Sequence, residues 1–441
     1  MADLKSLNDD FRTLSSQTSA LLPCRTRSSP ENARQHHREI EKYLVVEKAS
    51  RKVYEALGKA CTKHSEHLAH LCIEVEHETQ DDRPAAQVKF SLAFTNLTLK
   101  GFSTQVDPVW FMIDTIIGDT IADIPTEPIA GIMDLAQSLK RELELPNENR
   151  PKKPKKSVRF APTAPVSSTV PAVAVSTALI SSPRLRRDFC DYLRSSFREP
   201  MQSNICMGVL EHTDSCRHLV YPSPSQPRSG SATSLEQFIS SVSQQGPAGS
   251  LPQYERLHLA KSLATAVLQY HATPWLKVSW RSQDIFFFGL EGNTILQSRP
   301  SLKAPHLHVN IKGPNQALSQ ASTNPTRSVA RNPLLFNLGV MLLEVAYCAT
   351  LRSLEQPCDL ENGERSSLTE IFAARRLANS LGREMGGTYS KIVKQLLECD
   401  FGCGDNLNDP KLQAGFHRDV VCALDKLEQG FRELQLGCTD E

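Results

Sequence analysis

Three short stretches hold the residues best suited to chemistry. CTKHSEHLAHLC (61–72) offers Cys61, His64, His67, His70 and Cys72, the ligand types of a zinc centre. On a helix, steps of three residues rotate by about 60° each, so such ligands fan across the surface instead of converging. The expected arrangement is a metal-free helix with Cys61, Leu68, Leu71 and Cys72 inward and the histidines along its edge. LLECDFGCGD (396–405) contains Asp400-Phe401-Gly402, the form in which a carboxylate meets magnesium in some phosphoryl-transfer sites. Cys399 and Cys403 flank it, with no second pair of ligands nearby in sequence. KKSVRFAP (155–162) sets Lys155 and Lys156 ahead of Val158 and Phe160. An extended segment of this kind can add to a sheet edge, with Val158 and Phe160 entering two apolar pockets. A phosphate on Ser157 would put charge beside those pockets. The plainer reading is a solvated basic linker. No Ser-His-Asp order or metal triad stands out elsewhere.

These residues sit in a chain of 441 residues with a formal net charge of +1. So balanced a charge drives the chain onto neither nucleic acid nor a membrane surface. The opening MADLKSLNDDFRTL is polar and has no apolar run of a secretory leader. The longest apolar stretch, LLFNLGVMLLEVAYCA (334–349), falls short of the ~18 residues a membrane span needs. Twelve scattered cysteines suit free thiols in a reducing compartment. The expectation is therefore an intracellular protein, cytoplasmic or nuclear, with RPKKPKK (150–156) readable as a nuclear import signal.

The elements that must position these groups are predominantly helical. Residues 1–80 read as two or more helices starting at Ser29-Pro30-Glu31, with Ile40, Tyr43, Leu44, Val53, Leu57, Leu68 and Leu71 at helical spacing. VKFSLAFTN (88–96) alternates as a half-buried strand, and 126–145 reads as a helix. From 146 the composition turns basic and Pro-rich, as in a disordered linker, and 221–234 and 311–333 read as further loops. Residues 206–222 read as two strands about a turn at 212–215, 251–271 as a helix, and 284–296 as strand, turn, strand. The stretch 334–349 is apolar nearly all round, hence a buried central helix, with Asn332-Pro333 as its cap and first position. Helices follow at 368–381, 388–399 and 411–435. Glu344 on the buried helix is expected to pair with Arg375 or Arg376, or to reach the surface. His271, ending its helix, is expected to meet the terminal carbonyls rather than move protons.

This succession resembles the C-lobe of protein kinases over roughly 186–435. AKSLATAVLQYHATPWLKVSWRSQDIFFF (260–288) is similar to the kinase helix, catalytic loop and strand, and LLFNLGVMLLEVA (334–346) to the kinase buried helix through Leu338-Gly339-Val340 and Glu344. Phosphoryl transfer needs a phosphate cover, a lysine, a catalytic aspartate and a magnesium aspartate. No GxGxxG occurs, and WLKVSWRSQD contains no HRD. Asp284 falls near the catalytic-loop asparagine, and Gln297-Ser298-Arg299-Pro300 stands at the expected magnesium-binding place. Leu334 replaces the anchoring aspartate of the buried helix. Asp400-Phe401-Gly402 follows that helix, whereas the magnesium aspartate must precede it. It reads instead as a helix end, Gly402 terminating 388–399 and Phe401 packing behind.

YEALGKACTKHSEHLAHLCIEVE (54–76), VKFSLAF, KKSVRFA, YSKIVKQLLECDF and DPKLQAGFHRDVVCALDKL together resemble an uncharacterised fungal family over about 40–435. Its members resemble pseudokinases and are often associated with HeLo-like, prion-inhibition helical domains. Only about 50 residues precede the shared part here, too few for a full bundle of that type. KKSVRFAP in turn looks like the motif by which regulatory subunits dock on protein phosphatase 1, through Lys155, Lys156, Val158 and Phe160. The expected architecture is α+β and mainly helical. It has a helical N-terminal region with one or two strands (1–145), a linker (146–185) and a degenerate kinase-like domain (186–435). The expected function is non-catalytic interaction or signalling through a protein partner. No catalytic residue, cofactor, metal, nucleic acid or membrane span is assigned. The alternatives are a divergent phosphotransferase built around Asp284 and a phosphatase-1 docking subunit.

Overall fold

The computed structural model describes residues 30–60, 66–78, 86–95, 108–117, 189, 193, 206–213, 216–223, 232–244, 251–289, 302, 304–312 and 329–437. It is a mixed α/β structure built on one antiparallel sheet. The strands are β1 (Glu66–Cys72), β2 (Glu76–Glu78), β3 (Ala86–Thr95), β4 (Val109–Ile117), β5 (Gly208–Thr213), β6 (Cys216–Pro222), β7 (Thr233–Ser234), β8 (Ile285–Phe287) and β9 (His306–Lys312). Their order across the sheet is β5-β6-β4-β3-β1-β9-β8-β7, with β2 added to β3. Strands from before and after residues 146–185 therefore interleave: β4 pairs with β6, and β1 with β9.

The first described helix, α1 (Pro30–Ala60), is a single 31-residue element. Val46, Ala49, Val53, Ala56, Leu57 and Ala60 form its buried stripe at the three-and-four spacing of an amphipathic helix. That stripe packs against the sheet and against α3. Helix α2 (Leu235–Gln244) begins with a reciprocal cap: the Gln237 N–H donates to Ser234 Oγ, and the Ser234 N–H to Gln237 Oε1. Helix α3 (Gln253–Tyr270) and helix α4 (Pro333–Tyr347) form the centre of the helical layer. Every residue from Leu334 to Ala346 is buried. Asn332 caps α4 as expected, its Oδ1 accepting from the Leu335 N–H at 2.9 Å. Helices α5 (Thr369–Ser380), α6 (Gly382–Met385) and α7 (Gly387–Glu398) pack on α4. Helix α8 (Pro410–Phe416), a π-turn (His417–Val421) and α9 (Cys422–Gly437) close the layer against α3.

Several expectations change. Residues 66–72 form β1, not a helix, and four strands lie in 1–145 where one or two were expected. The pairing explains the first change: Ala69, Leu71 and Ile73 alternate into the core, whereas Leu68 and Leu71 had suggested a helical stripe. Strand β8 pairs with β7 and β9, and the second strand expected at 293–296 lies outside the described residues. Ile311 and Lys312, expected in a loop, end β9. The helix at 388–399 is ended by Cys399, in the left-handed region at φ 50°, with Gly402 following at φ 70°. The expected helix at 126–145 and linker at 146–185 lie outside the described residues.

Candidate functional site

The loop from His271 to Asp284 connects α3 to β8 and is held by buried indoles. Trp275 Nε1 donates to the Ser50 carbonyl of α1 at 2.8 Å, and Trp280 Nε1 to the Leu334 carbonyl of α4 at 3.3 Å. Asn337 Nδ2 of α4 donates to the Val278 carbonyl at 2.8 Å. The loop is thus fixed from two sides, with the Val278 side chain in solvent. Asp284 accepts from the Arg281 N–H at 2.9 Å, so its carboxylate closes its own short turn. Arg281 reaches away and grips Glu370 through both oxygens, at 2.6 and 3.1 Å.

Next to this loop lies one face of the sheet. His70 on β1 stands directly across from His308 on β9, and His306 across from Phe286 on β8. The rings of His70 and His308 are 4.8 Å apart. Phe286 and Phe288 meet His70 at 5.2 and 5.0 Å, and Trp110 meets Phe288 at 4.7 Å and His306 at 5.5 Å. His70 Nε2 shares a hydrogen bond with Thr95 Oγ1 at 2.9 Å. The Nδ1 atoms of His70, His306 and His308 are buried with no protein partner. Burial holds His70 well below the ordinary histidine range, with His308 and His306 adding to it. Burial likewise lowers His306 to about 4, against the pull of the Ala304 and Phe286 carbonyls. Burial lowers His308 too, with Lys277 adding and Asp284 opposing. The cluster is therefore a layer of neutral imidazoles among aromatic rings, with His70, His306 and Trp110 buried and Phe286, Phe288 and His308 half-buried at its edge.

On the other side of the loop, a cavity of about 130 Å³ is lined by Glu236, Arg281, Glu344, Arg352, Glu355 and Glu370 among others. Glu344 is buried and accepts from the Leu351 N–H at 2.9 Å. Burial raises its pKa above the usual range, against hydrogen bonds to Leu351 and Ser282 and the charge of Arg281. The expected pairing of Glu344 is corrected: Arg376 binds Asp359 instead, and Arg375 lies 3.8 Å from Glu398. His271 contacts the Val267 carbonyl through Nδ1 at 3.2 Å, the helix-end role expected of it.

Asp400 lies on the rim of a separate groove with Lys391 and Lys394. Phe401 is buried and meets Phe416 at 6.0 Å, the packing role expected for it. Of the cysteine and histidine run, Cys61 and His64 lie outside the described residues, while His70 and Cys72 are paired in β1. Lys155, Lys156, Val158 and Phe160 lie outside the described residues, as do Gln297-Ser298-Arg299-Pro300. His306 and His308 went unnoticed in the sequence, although Leu307, Val309 and Ile311 alternate with them as a strand requires.

Among the described residues no helix is long and apolar enough to cross a membrane. None of the curated proteins matches the chain. The profile of a family described as a domain of unknown function, DUF7580, matches residues 172–428, more than half of the sequence. The chain belongs to the DUF7580 family.

Proposed function

We propose that this protein is a non-catalytic, pseudokinase-type interaction protein. The observation that carries the reading is the histidine and aromatic face beside the loop. A phosphotransferase needs acidic side chains to hold magnesium and a cation to meet phosphates there. In that position this chain has His70, His306 and His308, which burial keeps neutral, against Phe286, Phe288 and Trp110. The loop's carboxylate, Asp284, is engaged by the Arg281 N–H. The succession α3, loop, β8, β9 and buried α4 supports the kinase-like reading of the C-terminal half, and the described cysteines, all free thiols, support an intracellular setting. By its resemblance to the uncharacterised fungal pseudokinase-like proteins, the role is signalling through a protein partner.

The test is thermal unfolding of the full chain with ATP and Mg²⁺. The expected result is no shift at millimolar nucleotide. A magnesium-dependent gain, which reaches about 2.7 kcal/mol at 100 times Kd and is lost in Asp284→Asn, would overturn the reading in favour of a divergent phosphotransferase. KKSVRFAP favours a second reading, docking on protein phosphatase 1. Replacing Val158 and Phe160 together by alanine abolishes capture of that phosphatase if this reading holds, and leaves capture intact if it fails.

A further inference from the structure

Cys348, in the left-handed region at φ 47°, ends α4 and turns the chain back on itself. Thr350 then caps a short 3₁₀ turn, Leu351–Leu354, its Oγ1 accepting from the Ser353 N–H at 3.4 Å. The Leu351 N–H, donating to Glu344 Oε1, ties that turn to α4. The turn, α2, α4, α5 and the loop before β8 together wall the cavity of about 130 Å³.

Much of the charge on this wall is neutralised within the protein. Arg281 is held by both oxygens of Glu370. Arg365 is held by Glu355, at 2.9 Å from Nη2 and 3.2 Å from Nε. Three charged groups are left over. Glu344 is 8% exposed and lies on the inner wall with buried Val340, one turn earlier on α4. Its carboxylate accepts from neutral donors, the Leu351 N–H and the Ser282 hydroxyl. Glu236 of α2 and Arg352 of the 3₁₀ turn are exposed, at the mouth. Among the described residues neither of these two forms an ion pair. Glu236 adds to the effect of burial in raising the Glu344 pKa, so the two carboxylates lie within electrostatic reach of each other.

A buried carboxylate without a cation is costly, and a cation entering the cavity removes that cost. An exposed guanidinium offers a carboxylate paired donors. A ligand with a single charge would satisfy one of these poles and meet the other as a like charge. A molecule with an ammonium at one end and a carboxylate at the other satisfies both. A cavity of ~150 Å³ takes up benzene, so the space here suits a compact ligand of about six non-hydrogen atoms.

We propose that this cavity binds a small amino acid as its zwitterion, the ammonium on Glu344 and Glu236 and the carboxylate on Arg352. The site is separate from the histidine face and independent of the proposed function.

The experiment titrates the full chain with L-alanine by isothermal calorimetry, and with ethylammonium and propionate as probes that each keep one of its charges. The expected result is one alanine per chain, with each single-charge probe weaker by roughly tenfold or more, the loss of one charge-assisted hydrogen bond. Arg352→Ala, at an exposed position, should weaken alanine by a similar factor and leave ethylammonium no weaker. Glu236→Gln, also exposed, should weaken alanine and ethylammonium together and leave propionate no weaker. Absence of alanine binding at millimolar concentration overturns the proposal. So does ethylammonium or propionate binding as tightly as alanine, which would make the cavity a site for a single charge, or an alanine affinity unchanged in Arg352→Ala.

Discussion

Glu428→Gln tests how firmly α9 is tied to the rest of the fold. Glu428 on α9 is 1% exposed, and its carboxylate accepts from Lys261 of α3 at 2.8 Å and His258 of α3 at 3.0 Å. His258 also reaches Glu74, just after β1, at 3.1 Å. Burial works against the charged Glu428, yet hydrogen bonds from Lys261 and His258 hold its pKa below the usual range. Lys261 and His258 are about a third exposed, so each contact is discounted to about 0.5–1 kcal/mol, the upper end for solvent-screened pairs. Lys261 also keeps Asp425 at 2.7 Å in the variant, and Arg432, which meets Glu428 at 2.7 Å from a half-exposed position, keeps Tyr254 at 2.9 Å, so neither cation is left without a partner. The expected loss is about 1.5 kcal/mol, not the ~3–5 kcal/mol of a broken buried pair. With a urea slope of about 2 kcal/mol per molar, the unfolding midpoint should fall by about 0.7 M. The hydrogen bond to Glu74 is the largest cause raising the pKa of His258 above 6.5. Its stabilisation is complete below 6.5 and is lost as pH rises through the raised value. The gap between wild type and variant should therefore be smaller at pH 9 than at pH 6. A midpoint shift under about 0.2 M, or a gap that widens at pH 9, would refute this account of the network.

Three further outcomes are expected. A methyl added at Gly339 would meet Leu397 Cδ2 at 3.0 Å and Leu396 Cβ at 3.3 Å, where α4 crosses α7. Gly339→Ala should lose up to about 2 kcal/mol, overpacking set against about 1 kcal/mol of helix propensity, and Gly339→Val should lose more, read by denaturant melts. Burial lowers His306 from 6.5 to about 4, so the unfolded chain binds more protons within that window and stability should fall as pH drops through it. His306→Phe should flatten that acid limb, followed by near-ultraviolet circular dichroism, leaving the parts due to His70, His308 and the lowered carboxylates Glu74, Asp359 and Glu428. Trp275→Phe removes the 2.8 Å bond to the Ser50 carbonyl and leaves a void beside Tyr54. It should lose about 2 kcal/mol and speed amide exchange in α1 around residues 46–57, measured by hydrogen exchange.

The sequence announces what depends on nearby residues. Helix α4 was legible because Asn332 and Pro333 cap an apolar run, and α3 because Leu257, Ala260, Leu263, Ala264, Val267 and Leu268 form one broad stripe. The strands β3, β5 and β6 alternate or bracket a turn, which a short window reveals. Strand β1 was hidden because Leu68, Leu71 and Cys72 satisfy a helical spacing as well as a strand one, and only pairing with β9 decides. Strand β4, VWFMIDTII, is largely buried along its length and so carries little alternation to read. The histidine face could not be found in any window, since His70 meets His308 only after the chain has crossed the sheet. Glu39 meets His417 by the same long-range logic, across nearly the whole described chain.

The strand order carries a consequence for where this protein can be cut. The family match begins at residue 172 and so contains β5 to β9, but β1, β3 and β4 lie between β6 and β9 in the sheet. A fragment trimmed to the match would hold two half-sheets with a gap three strands wide, each with a raw edge open to aggregation. A backbone nick between β4 and β5 would instead yield two pieces that template each other, the upstream piece slotting in as the missing middle. The middle of the sheet is thus supplied by a segment upstream of the family match, and the sheet is complete only with both segments present.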